Sequence, residues 1–420
     1  YRRLPEARYN AKKHGYEGAM FPWQSGSNGR EESQEIHLNP RSGRWIPDNT
    51  KLQRHVNAAI AYNIWQYFQV TNDLEFISFF GAEMFLEITR FWASKVQFNP
   101  ERDRYELHSV VGPDEYHTSY PGGKEPGICN NAYTNIFVIW VMTHAFKMLD
   151  VLKEDRKMEM LEKMDIKQHE LEQWQDISGK MFIPVHENGL IEQFEGYSDL
   201  EELDWEAYHD QYGEILRLDR ILEKENDNVN RYKASKQADV LMLFYLFSAD
   251  ELHVLFNHAG YGFDSEKMIN KNIEYYEQRT SHGSTLSKLV SSWVLARSDR
   301  KKSWQSFRTT LMSDVKDVQG GTTKEGIHLG AMAGTVDLVQ RCYSGLEVME
   351  DALRFDPVLP DSLSEYLFRL KYRSYWLNVK LTQDQLIINS EGGWSDQVKV
   401  VFDRQFAFLK NGETKVFDLQ

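Results

Sequence analysis

The stretch Leu52-Gln-Arg-His-Val-Asn-Ala-Ala-Ile-Ala-Tyr-Asn-Ile-Trp-Gln-Tyr-Phe-Gln-Val70, followed across Thr71-Asn72-Asp73 by Leu74-Glu-Phe-Ile-Ser-Phe-Phe-Gly-Ala-Glu-Met-Phe-Leu-Glu-Ile-Thr-Arg-Phe-Trp-Ala-Ser-Lys-Val-Gln-Phe98, decides the fold class. Apolar residues recur at Val56, Ile60, Ile64 and Tyr67, then at Phe76, Phe80, Met84, Ile88, Phe91 and Val96. That rhythm lays an apolar stripe along each of two helices. Asn72-Asp73 between them supplies capping and turn chemistry.

Working outward, the helical pattern continues through Tyr133–Leu152, the Glu- and Lys-rich Met158–Trp174, Ala238–Phe247, Ser265–Tyr276, Leu286–Arg297, Lys301–Met312 and Leu329–Cys342. This is the texture of an all-α array of antiparallel hairpins. The stretches between are not short connectors. Gly18–Asn49, Asn99–Asn130 and Phe182–Ala234 are long and rich in Gly, Pro, Trp, Tyr and charge, as functional loops are. After Pro357 and Pro360 the period changes to two. Tyr366-Leu-Phe-Arg-Leu-Lys-Tyr, Leu377-Asn-Val-Lys-Leu, Gln385-Leu-Ile-Ile-Asn and Gln397-Val-Lys-Val-Val-Phe alternate apolar and polar residues, divided by Gly392-Gly393 and Asn411-Gly412. The expected organisation is a helical domain over 1–357 and a small β domain over 358–420, with no 20–50-residue sequence repeat.

The 420 residues allow two or three domains, or one large barrel with an appendage. With 11 Trp, 21 Tyr and 23 Phe the chain is neither disordered nor collagen-like. A net charge of −14 argues against nucleic acid or an anionic membrane as partner. The longest apolar run, about Ile136 to Met142, is far short of a membrane span. Cys129 and Cys342 stand in no metal-type spacing and form no disulfide framework, so a reducing, cytoplasmic location is expected. No signal peptide is visible, and the chain opens at Tyr1 without Met.

Three sets of segments have residues suited to chemistry. Val110-Val-Gly-Pro-Asp-Glu-Tyr-His117 puts Asp114, Glu115, Tyr116 and His117 on a loop after a Gly-Pro break. A carboxyl group partly desolvated among aromatics has a raised pKa and suits general-acid work, whereas a solvated acidic turn has no such role. Gly18-Ala-Met-Phe-Pro-Trp-Gln-Ser-Gly26, with Arg30-Glu31-Glu32 and Arg44-Trp45-Ile46-Pro47-Asp48, interleaves Trp with amide and carboxylate groups. This suits a sugar's C–H face and hydroxyls, or equally a buried Trp that anchors a loop. Lys236-Gln-Ala-Asp239, Thr280-Ser-His-Gly-Ser-Thr-Leu-Ser287 and Gly320-Gly-Thr-Thr-Lys-Glu-Gly-Ile-His-Leu-Gly330 offer hydroxyls and backbone N–H groups to an anion at a helix start. Plain N-capping by Ser284 or Thr285 is the alternative.

Taken together, these segments resemble glycoside hydrolase family 65, the inverting disaccharide phosphorylases acting on maltose, trehalose, kojibiose and relatives, over the chain from about Arg2 to its end. Gly112-Pro-Asp-Glu-Tyr-His117 looks like the family's general-acid motif. Phe21-Pro-Trp-Gln24 is similar to its sugar-site Trp motif, with Gln24 where several members carry Glu. Lys236-Gln237, His282-Gly-Ser-Thr285 and Gly326-Ile-His328 look like its phosphate-pocket segments. The resemblance implies an (α/α)6 barrel with the site at its loop-built mouth, then a small C-terminal β-sandwich domain. It also implies that the chain starts after the family's N-terminal β-sandwich, linker helices and Trp-Asp sugar segment, leaving the barrel's first helices missing.

On this reading Glu115 is the catalytic acid. Trp23, Gln24, Asn131 and His117 line the sugar, with Asn130 an alternative to Asn131 and helix capping the competing role of both. His117 is expected to orient Glu115. Lys236, Gln237, His282, Ser284, Thr285 and His328 hold phosphate. Inversion by water needs a second carboxylate ~6.5–9.5 Å from the acid, whereas phosphate arrives already anionic. His282-Gly-Ser-Thr-Leu-Ser287 contains no carboxylate, where hydrolytic members look as though they place a Glu. The expectation is therefore phosphorolysis of an α-glucoside to β-glucose 1-phosphate, without metal or other cofactor and with inorganic phosphate as co-substrate. Glu277 and Glu325 remain possible bases for an inverting α-glucosidase, and a non-catalytic carbohydrate-binding fragment is the third reading. A homodimer is the expected assembly.

Overall fold

The Leu52–Phe98 stretch is helical, but over a shorter range than its rhythm suggests. The first helix is Val56–Thr71, and the residues before it are committed elsewhere. Asp48 accepts from the amide and hydroxyl of Thr50, winding a single 3₁₀ turn at Thr50–Leu52. Gln53 to His55 then run as non-helical backbone, with Leu52 O accepting from Val111 N at 3.1 Å. The helix stops where Asn72 turns left-handed at φ +56°, a conformation Asn tolerates. The second run is one turn, Leu74–Phe76, a π turn, Ile77–Gly81, and the helix Ala82–Lys95. A Cβ on Gly81 would stand 2.9 Å from Ile77 and 3.2 Å from Ile64 of the preceding helix, so glycine permits this close approach.

The computed structural model describes residues 1–318, 322–393 and 397–419. The chain divides into one unit of Tyr1–Trp65 with Leu74–Gly283 and a second of Gln66–Asp73 with Ser284–Gln420. In the first unit Ala132–Val151 is the central helix. Every residue from Ala132 to Met142 is buried, which explains an apolar sequence without a polar face. It packs against Ala82–Lys95, Gln168–Lys180 and Asp239–Leu246. The single helix expected over Met158–Trp174 is two, Glu154–Lys163 and Gln168–Lys180, broken where Asp165 takes φ +54°. Two helices, Leu4–Lys13 and Ala249–His258, lie outside the periodic segments, the latter opened by a Ser248/Glu251 capping box. The long Phe182–Ala234 connection contains Trp205–Tyr212, capped by Asp204, and Leu218–Lys224. Its Tyr197 is buried, and Tyr208 and Tyr212 stack and both donate to Glu225, so these rings pack the loop.

The second unit carries the helices Thr285–Leu295, Arg300–Leu311 and Leu329–Asp337, the last continued by a π turn, Leu338–Cys342. Its β layer is two four-stranded sheets. Glu365–Tyr372, Tyr375–Thr382, Gln385–Gly392 and Thr414–Asp418 form an antiparallel sheet. The other sheet is Glu347–Val348, Leu353–Phe355, Val398–Phe402 and Gln405–Leu409. Leu353, Phe355 and Val400 from one sheet and Leu377, Val379 and Ile388 from the other share a core, as in a β-sandwich. Leu353–Phe355 pairs in parallel with Val400 to Phe402, so the sheet recruits residues ahead of Pro357. The expected start at 358 rested on alternation, and three-residue strands are too short to show it.

Candidate active site

The acid loop is built from Gly112 outward. Gly112 has no side chain, which lets the Asp239 carboxylate close over it. A Cβ there would lie 2.0 Å from Asp239 Oδ2 and 2.6 Å from Asn131 Nδ2. Asp239 accepts from Asp114 N and from Asn131 Nδ2, each at 2.7 Å. Asp114 in turn accepts from the backbone N–H groups of Lys236, at 2.6 Å, and Gln237, at 3.1 Å, while Gln237 Nε2 donates to Pro113 O. Burial and the Asp114 carboxylate push the Asp239 carboxyl well above its ordinary range. Asp114 and Asp239 are thus structural, their oxygens filled by the loop they hold.

What this clamp presents is Glu115, left-handed at φ +64°, a strained backbone of the kind that functional sites retain. Its Oε1 accepts from Gln53 Nε2 at 2.9 Å and its Oε2 from Lys236 Nζ at 2.6 Å. Burial alone would raise the carboxyl. The Lys236 ammonium, the Gln53 amide and the Arg217 charge outweigh burial and hold it below its ordinary value. The raised pKa expected from the sequence is therefore corrected for the ligand-free protein: the loop's aromatic neighbours were legible, but the lysine 121 residues away was not. Arg217 is tied bidentately to Asp219, at 3.0 and 2.7 Å.

The Trp segment lies in the same unit. Glu31 accepts from the backbone N–H groups of Trp23 and Gln24, both at 3.1 Å, and from Ser33 Oγ at 2.6 Å. Trp23 is half-buried and Gln24 exposed. The Trp23 ring packs on His55 at 5.2 Å, and His55 packs edge-on against Tyr133. Burial lowers His55 to about 4, against the opposing pull of Glu115, so the ring is neutral. Gln53 and His55 were missed from sequence because they read as the opening turn of a helix. Gln53 Oε1, His55 Nδ1 and Gln237 Oε1 are buried without a partner, a concentration of unsatisfied polar atoms around the acid.

Two expected sugar ligands are reassigned. Asn131 is fully buried, caps Ala132–Val151 by accepting from Thr134, and gives its amide to Asp239 and Gln193 O. His117 is 3% exposed, with one ring nitrogen on Asp114 and the other on Tyr232 O. Both hold the loop. Asn130 is likewise buried, bonded to Leu107 N and Glu195. Gln237, expected on phosphate, braces Pro113, and Lys236 pairs with the acid.

Of the anion segments, His282 belongs to the unit of the acid loop and takes φ +56°. Its neighbour Ser281 shares a 2.8 Å hydrogen bond with Tyr116 Oη, and a Cβ on Gly283 would meet Leu216 O at 2.1 Å and Lys236 Cγ at 3.1 Å. The segment therefore abuts the acid loop. Ser284, Thr285 and His328 fall in the second unit. There Ser284 Oγ accepts from Leu286 N and caps Thr285–Leu295, and His328 Nδ1 lies 2.6 Å from Asp314 Oδ1. Glu277 ends the helix Ser265–Glu277. Gly320, Gly321 and the Glu325 side chain lie outside the described residues. Among the described residues no group of three His, Cys, Asp or Glu side chains could hold a metal ion, and no helix is long and apolar enough to cross a membrane.

Comparison with known proteins matches residues 1–337 to the glycosyl hydrolase family 65 central catalytic domain and 346–405 to the family's C-terminal domain. An uncharacterized glycosyl hydrolase of Mycobacterium tuberculosis is 49% identical over 99% of this chain and 31% of its own length. Trehalose 6-phosphate phosphorylase of Lactococcus lactis is 37% identical over 100% of this chain and 52% of its own. A solved structure of a protein assigned as a kojibiose phosphorylase, from the human microbiome, superposes with a TM-score of 0.80 at 24% identity, covering 100% of this chain and 52% of that one. The chain thus spans about half or less of the length of these relatives. The fold is an (α/α)6 barrel followed by a small C-terminal β domain. With a family model covering four-fifths of its length, the chain belongs to glycosyl hydrolase family 65.

Proposed function

We propose that the protein is an inverting disaccharide phosphorylase: it cleaves an α-glucoside of the trehalose, maltose or kojibiose type with inorganic phosphate, releasing β-glucose 1-phosphate and a sugar. The observation that carries the reading is the surroundings of Glu115. Among the described residues, the carboxylates that build and brace the acid loop are engaged, Asp114 and Asp239 by the loop and Asp219 by Arg217, which leaves these three without the freedom to activate water. The segment that follows Ser281, His282-Gly-Ser-Thr-Leu-Ser287, carries hydroxyls and amides and no carboxylate. The Lactococcus lactis relative, a phosphorylase by name, supports the same choice.

In the reaction Glu115 protonates the departing glycosidic oxygen while phosphate attacks the anomeric carbon from the opposite face, inverting it. The C–O bond to the acceptor breaks as the C–O bond to phosphate forms, and the proton ends on the acceptor hydroxyl. Lys236 holds Glu115 ionised at rest, so protonation must accompany ligand entry, when a phosphate anion competes for the ammonium. Trp23 and Gln24 serve the sugar. Glu115→Gln tests this: cleavage should fall by about 10³-fold or more while sugar binding stays nearly intact. Cleavage retained by that variant would remove Glu115 from the role.

A further inference from the structure

The second unit holds a cleft of about 460 Å³, within the size range of small-molecule sites, and none of its lining residues belongs to the acid loop or the Trp segment. Thr71 and Asn72 line it at the end of the helix Val56–Thr71, Tyr372 and Arg373 at a hairpin turn, and Asp351 and Lys399 beside them. Tyr372 pairs with Tyr375, so Arg373 and Ser374 alone make the turn between the strands Glu365–Tyr372 and Tyr375–Thr382. Arg373 takes φ +54° there, a torsion at which glycine or asparagine is the usual occupant. Its backbone N–H is held by Val70 O, and its guanidinium lies over the Tyr372 ring at 5.0 Å. One guanidinium nitrogen donates to Glu350 O at 2.7 Å, and among the described residues no carboxylate pairs with it. Arg373 Nε and the hydroxyl of Tyr372, a residue 2% exposed, are buried without a partner. A strained arginine with no paired carboxylate, and with unmet donors of its own and its neighbour's, destabilises the fold unless a ligand supplies the anion.

The lining selects the ligand. Lys399 and Asp351 neutralise each other in a 2.9 Å ion pair, so Arg373 leaves these six residues with a net positive charge, in a chain of −14. That favours an anion. The Asp351 carboxylate and the Asn72 side-chain amide, which makes no hydrogen bond among the described residues, suit hydroxyl groups. A nucleotide is disfavoured, because Tyr372 and Tyr375 are each 2% exposed and offer no ring face for a base to stack on. We propose that this cleft is a second binding site, for a small polyhydroxylated anion, with Arg373 on the anionic group and Asp351 and Asn72 on the hydroxyls. Nothing in it depends on which nucleophile the acid loop serves.

Gluconate, α-glucose 1-phosphate and glucose serve as probes, titrated calorimetrically into the parent and into Arg373→Gly. The first carries its charge as a carboxylate, the second as a phosphate, and the third is neutral. The parent should take up one more equivalent of gluconate, of α-glucose 1-phosphate or of both than the variant does, and the probe that shows the difference identifies the anionic group. Glucose should bind the two proteins alike. Arg373→Gly should melt no lower than the parent, since glycine relieves the torsion. Asn72→Gly, which keeps the left-handed backbone, should weaken the same site by about 3–10-fold. Four results would overturn the proposal: equal uptake of both anions by parent and Arg373→Gly; a glucose difference as large as that for the anions, which removes charge as the basis of recognition; undiminished binding in Asn72→Gly; or an Arg373→Gly protein melting well below the parent, which makes Arg373 a structural counter-charge to the carbonyls that end the helix Val56–Thr71.

Discussion

Substituting Gly112 by alanine tests the clamp that positions the acid. The glycine has ordinary backbone torsions, so the cost is one of space: the added methyl would sit 2.0 Å from Asp239 Oδ2. Asp239 must move, and with it go the bonds to Asp114 N and Asn131 Nδ2. Leaving two buried donors unpaired costs about 1–3 kcal/mol each, so the loss should be about 2–6 kcal/mol. At about 2–4 °C per kcal/mol the melting temperature should drop by about 4–24 °C. A displacement of the Glu115 loop by about 1 Å should cost about 10²-fold in kcat, even at temperatures where the variant is folded. Gly179→Ala is the control: nothing lies within 4 Å of its added methyl inside the helix Gln168–Lys180, and it should stabilise by about 0.5–1 kcal/mol. Thermal melts and initial rates read both variants. A Gly112→Ala protein as stable and active as the parent would refute the clamp.

Lys236→Met leaves burial as the dominant influence on Glu115, so the carboxyl rises, and the limb of the kcat/KM profile where the acid loses its proton should move to higher pH. A limb that stays in place would separate Lys236 from the acid. Glu83 is buried with Arg8, Lys163 and Tyr1 on its oxygens, and those partners outweigh burial to hold it at about 2 against 4.5 when unfolded. Its contribution is present above pH 4.5 and lost as pH falls towards 2, on the order of 1–2 kcal/mol because Arg8 and Lys163 are solvent-exposed. Acid unfolding of Glu83→Gln should show a flatter dependence over that range, and an unchanged slope would exclude the network.

The helices with a sustained apolar stripe were legible, as Ala82–Lys95 illustrates, and so was the uniformly apolar Ala132–Val151. Their ends were less so. Leu52 to His55 share the stripe's spacing but leave the helix because Asp48 and Val111 capture their neighbourhood, and there Gln53, Arg54 and His55 acquire their positions. The acid loop's sequence named Glu115, yet its partners come from residues 62 positions before and 121 after, which no local pattern encodes. Asn131 and His117 show the converse: polar residues beside a catalytic motif looked like ligands, and burial makes them struts.

The central claim is that the nucleophile is phosphate and not water. Incubating the protein with an α-glucoside that it cleaves, with and without inorganic phosphate, and following the anomer of the product by NMR tests this most directly. The account predicts β-glucose 1-phosphate with phosphate and negligible cleavage without it. Equal cleavage to free glucose in both conditions would contradict it.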